Sequence, residues 1–186
     1  MNFRKLLYLS VALELLIIVA ALAMDGFSSL ALQTITRFSG RLSLMVFSII
    51  FLSQGKNMDF KPYLIFAVVH GIHLIELISY VTLSGNKLIP IRVAGGALAY
   101  SFIFIMPLLD YRHLNVQLSK KKFNLFENVY LYYIWLIFFM SYLPRVQGKL
   151  PNVGGHYYEF VILLAWVLIL LILKLITLFR TQKRFT

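Results

Sequence analysis

The sequence predicts an all-α integral membrane protein, a single domain over residues 1–186 that forms a six-transmembrane-helix bundle. Hydrophobic residues make up 60% of the chain and charged residues only 13%, whereas soluble domains average about 45–50% and about 25%. The apolar residues also fall into six runs, and a helix needs about 20 such residues to cross a bilayer. These two observations exclude a soluble globular domain, a disordered tail and a fibrous protein.

Six spans follow from the apolar runs, and turn-forming residues separate them. In chain order the predicted spans are 6–24, 36–53, 62–83, 89–109, 126–143 and 157–179. The second and fifth runs are short, so their helices are expected to extend to about Ile35 and about Leu125. The predicted breaks are Asp25-Gly26, Gln54–Asn57, Ser84–Asn86, Pro144 and the loop Gly148–Gly155.

The first span also has features of a secretory signal peptide. Arg4 and Lys5 precede its apolar run, and the small residues of Ala21–Ala23 are typical of a cleavage site. The run is longer than the core of a usual signal peptide, however, and Glu14 lies in its middle. We therefore expect an uncleaved transmembrane helix.

The basic residues predict the orientation of the bundle. Of the 18 Lys and Arg residues, 12 lie in loops and span ends on the side that holds both termini, and 6 on the other side. The positive-inside rule then places both termini in the cytoplasm, in an inner or plasma membrane. The net charge of +11 is thereby explained by topology, so the expected partner is the lipid bilayer, and no nucleic acid is expected. The chain has no cysteine, which excludes disulfides, iron–sulfur clusters and thiolate metal sites.

Four ionisable side chains within the predicted spans mark the candidate site. His70, His73 and Glu76 lie on the third helix, and Glu14 lies on the first. An ionisable side chain at the centre of a transmembrane helix costs roughly 2.5–3.5 kcal/mol on insertion. At a rise of about 1.5 Å per residue, Glu14 and His70 lie about 12 Å deep, and His73 and Glu76 follow at about 17 and about 21 Å. We therefore expect Glu14 and the two histidines to meet in the inner half of the bundle.

These residues are compatible with three chemistries and with a purely structural role. The ring nitrogens of His70 and His73 could ligate a haem iron. A divalent metal ion could be bound by the set His70, His73, Glu76 and Glu14, although side chains at steps of three residues diverge by about 60° around a helix. The same groups could relay protons. A buried polar network that only specifies helix packing would need no ligand.

Four stretches of the chain carry a family resemblance: Arg37–Leu44, Glu76–Tyr80, Ile89–Leu98 and Phe123–Tyr133. They resemble parts of helices two to five of the ferric-reductase-like transmembrane domain. That superfamily includes the haem-bearing core of NADPH oxidases and the membrane subunit of the bacterial methionine sulfoxide reductase system. The resemblance covers residues 37–143, and it implies six helices, haem b and electron transport by an oxidoreductase subunit. The chain has no flavin or nicotinamide domain, so the resemblance also implies a separate soluble or membrane redox partner, or a quinone.

The sequence departs from this family at the haem ligands. The family pattern places histidines on helices three and five, but the third-helix position falls on Glu76, with His73 one turn earlier, and residues 129–143 contain no histidine. A haem would therefore have one axial histidine, His70 or His73, or an unusual partner such as Glu14 or a tyrosine. Two other functions stay open: a small proton or metal-ion transporter or channel, and a cofactor-free structural subunit.

Overall fold

Six α-helices account for most of the residues that the structure describes. The structure is a computed structural model that describes residues 3–53, 61–85, 90–150 and 154–182. No strand occurs in these ranges. In chain order the helices are α1 (Phe3–Asp25), α2 (Ser29–Ser53), α3 (Pro62–Ser84), α4 (Pro90–Leu114), α5 (Lys120–Val146) and α6 (Tyr157–Gln182).

Each of the six helices is long and apolar enough to cross a membrane. This confirms the predicted fold class of an all-helical chain with six apolar helices. Two predicted turns are also confirmed, because Gly26 and Gly85 adopt φ values of 63° and 64° immediately after α1 and α3. Such left-handed backbone favours glycine and ends a helix. The predicted break at 54–57 lies outside the described residues.

Two helices begin earlier than the apolar runs predict. α2 begins at Ser29 rather than near Ile35, since the Ser28 hydroxyl accepts a hydrogen bond from the Ala31 N–H at 3.1 Å and caps the helix. α5 begins at Lys120 rather than near Leu125. Mostly polar residues separate these starts from the apolar runs, at 33–37 in α2 and at 120–122 in α5, so the apolar run marks only part of each helix.

Two helices end later than predicted. α4 continues beyond residue 109 to Leu114. α5 continues through Pro144 to Val146. A proline in the last turn removes only one backbone N–H donor, so it does not have to end the helix there.

α2 lies at the centre of the bundle. It packs against α1, α3 and α6, while α4 bridges α3 and α5. Phe47 of α2 anchors the core, with its ring centroid 5.7 Å from that of Phe66 on α3 and 5.4 Å from that of Phe138 on α5. Rings at these distances add about 0.5–1.5 kcal/mol each beyond the area they bury. The core therefore joins the three helices that surround the candidate site.

Polar contacts fix α6 on α2. Three side chains on one face of α6 each contact a residue of α2. Their contact residues follow in the same order along α2 as the three side chains do along α6. The two helices are therefore parallel, as expected for the second and sixth spans of an alternating bundle. The contacts are Arg41 Nη2 to Glu159 Oε2 at 2.6 Å, Trp166 Nε1 to Ser48 Oγ at 3.0 Å, and Lys174 Nζ to the Phe51 carbonyl at 2.8 Å.

Candidate functional site

A cavity of about 650 Å³ opens between α2, α3, α4 and α5, with the start of α6 at its edge. Ligand pockets commonly have volumes of about 300–1,000 Å³. The walls are largely apolar, with polar groups at a few points. The polar side chains that matter most are His70, His73, Tyr100, Arg37, Arg41 and Arg145.

The two histidines line one wall of this cavity. They lie one turn apart on α3, and their ring centroids are 5.1 Å apart. His70 is buried between two rings, stacked on Phe66 and on Tyr100 with centroid distances of 5.1 Å in both cases. The Nδ1 atoms of His70 and His73 have no hydrogen-bond partner among the described residues. The structure therefore brings the predicted histidines together at a cavity and leaves each with an unsatisfied ring nitrogen.

Gly40 of α2 allows the close approach of the His73 ring. A Cβ atom at this position would lie 3.1 Å from His73 Cε1 and 3.6 Å from Nε2. The first of these contacts is tighter than Cβ atoms normally make, so the absence of a side chain on Gly40 lets the His73 ring lie this close to α2. The sequence analysis placed Gly40 in a family-like stretch without assigning it this role.

Arginines form a basic edge on the cavity. Arg37, Arg41 and Arg145 line it, and its described lining contains no carboxylate. Glu159 of α6 lies next to the cavity, where it pairs with Arg41 and also interacts electrostatically with Arg37. One carboxylate therefore faces several guanidinium groups. The edge of the cavity favours an anionic group on its ligand.

Gly155 makes room for this cluster. It has φ 107°, and a Cβ there would lie 2.8 Å from Glu159 Oε2 and 2.9 Å from Arg37 Nη1. The sequence analysis assigned Gly148–Gly155 only to a loop. The sequence-based charge count places Arg37 and Arg41 only among the basic residues on the side opposite the termini; in the structure both lie inside α2 and line the cavity. Their spacing of four residues in an otherwise apolar helix is the signal that could have revealed them.

Glu14 and Glu76 lie outside the cavity lining, where α1, α2 and α3 pack together. The Ser39 hydroxyl donates a hydrogen bond to Glu14 Oε1 at 3.0 Å, and the two carboxyl groups interact electrostatically. The four predicted ligands are thus divided into a histidine pair and a carboxyl pair. Within the described ranges, no three His, Asp or Glu side chains converge to hold a metal ion, so the four-residue metal site stays a prediction.

Substitution of Gly40 by alanine tests the packing of His73. Gly40→Ala is expected to lower the free energy of unfolding by about 1 kcal/mol relative to Gly96→Ala, since overpacking costs about 1–3 kcal/mol. Both changes gain the same helix propensity, but a Cβ at Gly96 of α4 would meet nothing within 4 Å. Reversible unfolding in detergent micelles measures the difference. Equal stabilities of the two variants would show that His73 moves freely.

Comparisons with known proteins bear on none of these assignments. A scan of protein-family models, a search of the curated proteins and a search of the solved structures each found no significant match. The resemblance to the ferric-reductase-like domain therefore stays a prediction, and the case for function depends on the geometry of the cavity.

Proposed function

We propose that the chain is a haem-binding electron-transport subunit of a cell membrane, with both termini in the cytoplasm. The single observation that carries this proposal is the cavity of about 650 Å³ that two histidines and three arginines line within six apolar helices. The orientation is supported by the 12-to-6 distribution of basic residues in the sequence. The resemblance of residues 37–143 to ferric-reductase-like domains supports the same assignment.

The residues at the cavity fit a haem. His73 is the better axial ligand, because it is only partly buried at the cavity whereas His70 is buried and stacked between Phe66 and Tyr100. Neither Nδ1 atom has a hydrogen-bond partner among the described residues. Imidazole is the usual axial ligand of haem iron. When bound, haem would supply a one-electron redox centre in the membrane.

The basic edge of the cavity fits the carboxylates of such a group. Arg37 and Arg145 line the cavity. Arg145 Nη1 also donates to the Ser141 carbonyl, and Arg37 interacts electrostatically with Glu159. A guanidinium group has five N–H donors, so each can bind a carboxylate in addition. Arg41 already pairs with Glu159, so it holds α6 against this edge. The chain's own contribution is to bind and orient the planar group and to cover its faces with apolar walls.

The fifth helix offers other groups where the family has histidine. Met140 and Tyr142 of α5 line the cavity beside Ser141. A thioether and a phenolate are both known ligands of haem iron. A separate redox partner or a quinone would complete electron transfer.

The absorption spectrum of the detergent-purified protein tests the proposed function. We expect a Soret band, about one haem per chain by pyridine haemochrome, and saturable uptake when haem is added to protein that lacks it. Metal analysis of the same sample gives the iron content. A colourless protein that takes up no added haem contradicts the proposal. In that case proton or ion flux in liposomes would favour the transporter alternative, and its absence the structural subunit.

A further inference from the structure

A second polar site lies apart from the cavity, at the packing of α1, α2 and α3. It consists of Glu14 of α1, Ser39 of α2 and Glu76 of α3, which are 1%, 0% and 8% exposed. These three side chains come from the part of the bundle where α2 packs on α1 and α3. This site is separate from the cavity, whether or not haem is bound there.

If both carboxyl groups are ionised, this site has more hydrogen-bond acceptors than donors. The Ser39 hydroxyl has a single proton, and it donates that proton to Glu14 Oε1 at 3.0 Å. Glu14 Oε2 and both carboxyl oxygens of Glu76 are buried without a hydrogen-bond partner among the described residues. Three acceptor oxygens thus share one buried location without a donor. A buried unsatisfied acceptor costs about 1–3 kcal/mol, and more if it is charged.

Two ionised carboxyl groups would also leave negative charges that no neighbouring cation compensates. Glu14 interacts electrostatically with Glu76, and the Ser39 hydroxyl lies beside both carboxyl groups. None of these is a cation. The charged and titratable groups on the neighbouring faces are directed elsewhere: Arg37, Arg41 and His73 all line the cavity, and Arg41 pairs with Glu159.

We propose that Glu14 and Glu76 form a proton-binding site in which one shared proton joins the two carboxyl groups. Glu76 is the protonated member, and its O–H donates to Glu14 Oε2. Glu14 is the ionised member, and it accepts this bond together with the one from Ser39. A single proton thereby supplies the missing donor and removes the repulsion, because two adjacent buried carboxylates cannot both stay ionised. An O–H donor to a carboxylate also makes a short, strong hydrogen bond.

Infrared spectroscopy of the full chain in detergent or vesicles tests this site. The wild-type protein at neutral pH is expected to show the carbonyl stretching band of a buried protonated carboxylic acid, shifted in D₂O. Glu76→Gln is expected to lose that band while it keeps the wild-type thermal transition, since the amide N–H can replace the donated proton. Glu14→Gln is expected to shift the band, and Glu159→Gln, at the carboxylate paired with Arg41, to leave it unchanged.

Two results would overturn the proposal. One is a carboxylic-acid band that is unchanged in Glu76→Gln, or absent from the wild type. The other is loss of the wild-type band when Na⁺ or Ca²⁺ is added at constant pH, which would identify a cation site made of the same oxygens. The cation titration uses unmodified protein, so it decides the question even if Glu76→Gln does not fold.

Discussion

Replacing His73 with alanine is expected to abolish the Soret band of the haem-loaded protein, whereas His70→Phe is expected to retain it. His73 lines the cavity and lies against Gly40, where no side chain blocks its ring. His70 is held between Phe66 and Tyr100, and a phenyl ring can take over this stacking. Loss of the single axial imidazole should lower haem occupancy by at least about tenfold, comparable with 1.4 kcal/mol of binding free energy.

The measurement is haem content per chain, from the absorption spectrum and by titration of haem into each purified variant. His156→Ala is the matched control, because this histidine is exposed at the start of α6 and does not line the cavity. A Soret band that survives in His73→Ala but is lost in His70→Phe would transfer the axial role to His70. Unchanged spectra in both variants would contradict a haem site in this cavity.

The helices are predictable from the sequence because long apolar runs have few alternatives in a membrane. The first residues of α2 and α5 are not predictable in this way, because hydropathy assigns polar turns of a helix to loops. Arg37 and Arg41 show the reason. An arginine counts against a span in any hydropathy window, yet both side chains are stabilised inside α2 because they face a polar cavity edge and Glu159. Hydropathy does not report which face of a helix meets lipid.

The four ionisable side chains of α1 and α3 could be identified from the sequence, but their grouping could not. His70 and Glu76 are six residues apart, so their side chains differ by about 120° around α3. His70 therefore faces Tyr100 of α4 and Phe138 of α5, with centroid distances of 5.1 and 6.0 Å, while Glu76 faces α1 and α2 near Ser39. The depth of these residues in the bilayer predicts a single site. The angle between their side chains around α3 divides them into two sites. The sequence does not say which helix lies on each side of α3, so the division required the structure.

Lys174 of α6 is a buried cation that lies beside the C-terminal end of α2. Its replacement is expected to have the second large effect, a loss of stability. The residue is 4% exposed, and its Nζ donates to the Phe51 carbonyl at 2.8 Å. Phe51 lies in the last turn of α2, where backbone carbonyls have no partner within the helix and the helix dipole favours a positive charge. The ammonium also interacts electrostatically with Glu127 of α5, which accepts a hydrogen bond from the Tyr63 hydroxyl. Lys174 thus connects α6 to α2 and α5.

Lys174→Met is expected to lower the free energy of unfolding by about 1–3 kcal/mol, because it leaves a buried carbonyl without its donor. Methionine keeps most of the side-chain volume, so the effect isolates the loss of the ammonium group. Lys149→Met is the matched control, since Lys149 is exposed and surface substitutions usually change stability by less than about 0.5 kcal/mol. Reversible unfolding of both variants in mixed micelles measures the difference. A Lys174→Met protein as stable as the wild type would mean that the cost of burying the ammonium equals what its contacts contribute. α6 would then be held on α2 by apolar packing, the Arg41–Glu159 pair and the Trp166–Ser48 hydrogen bond.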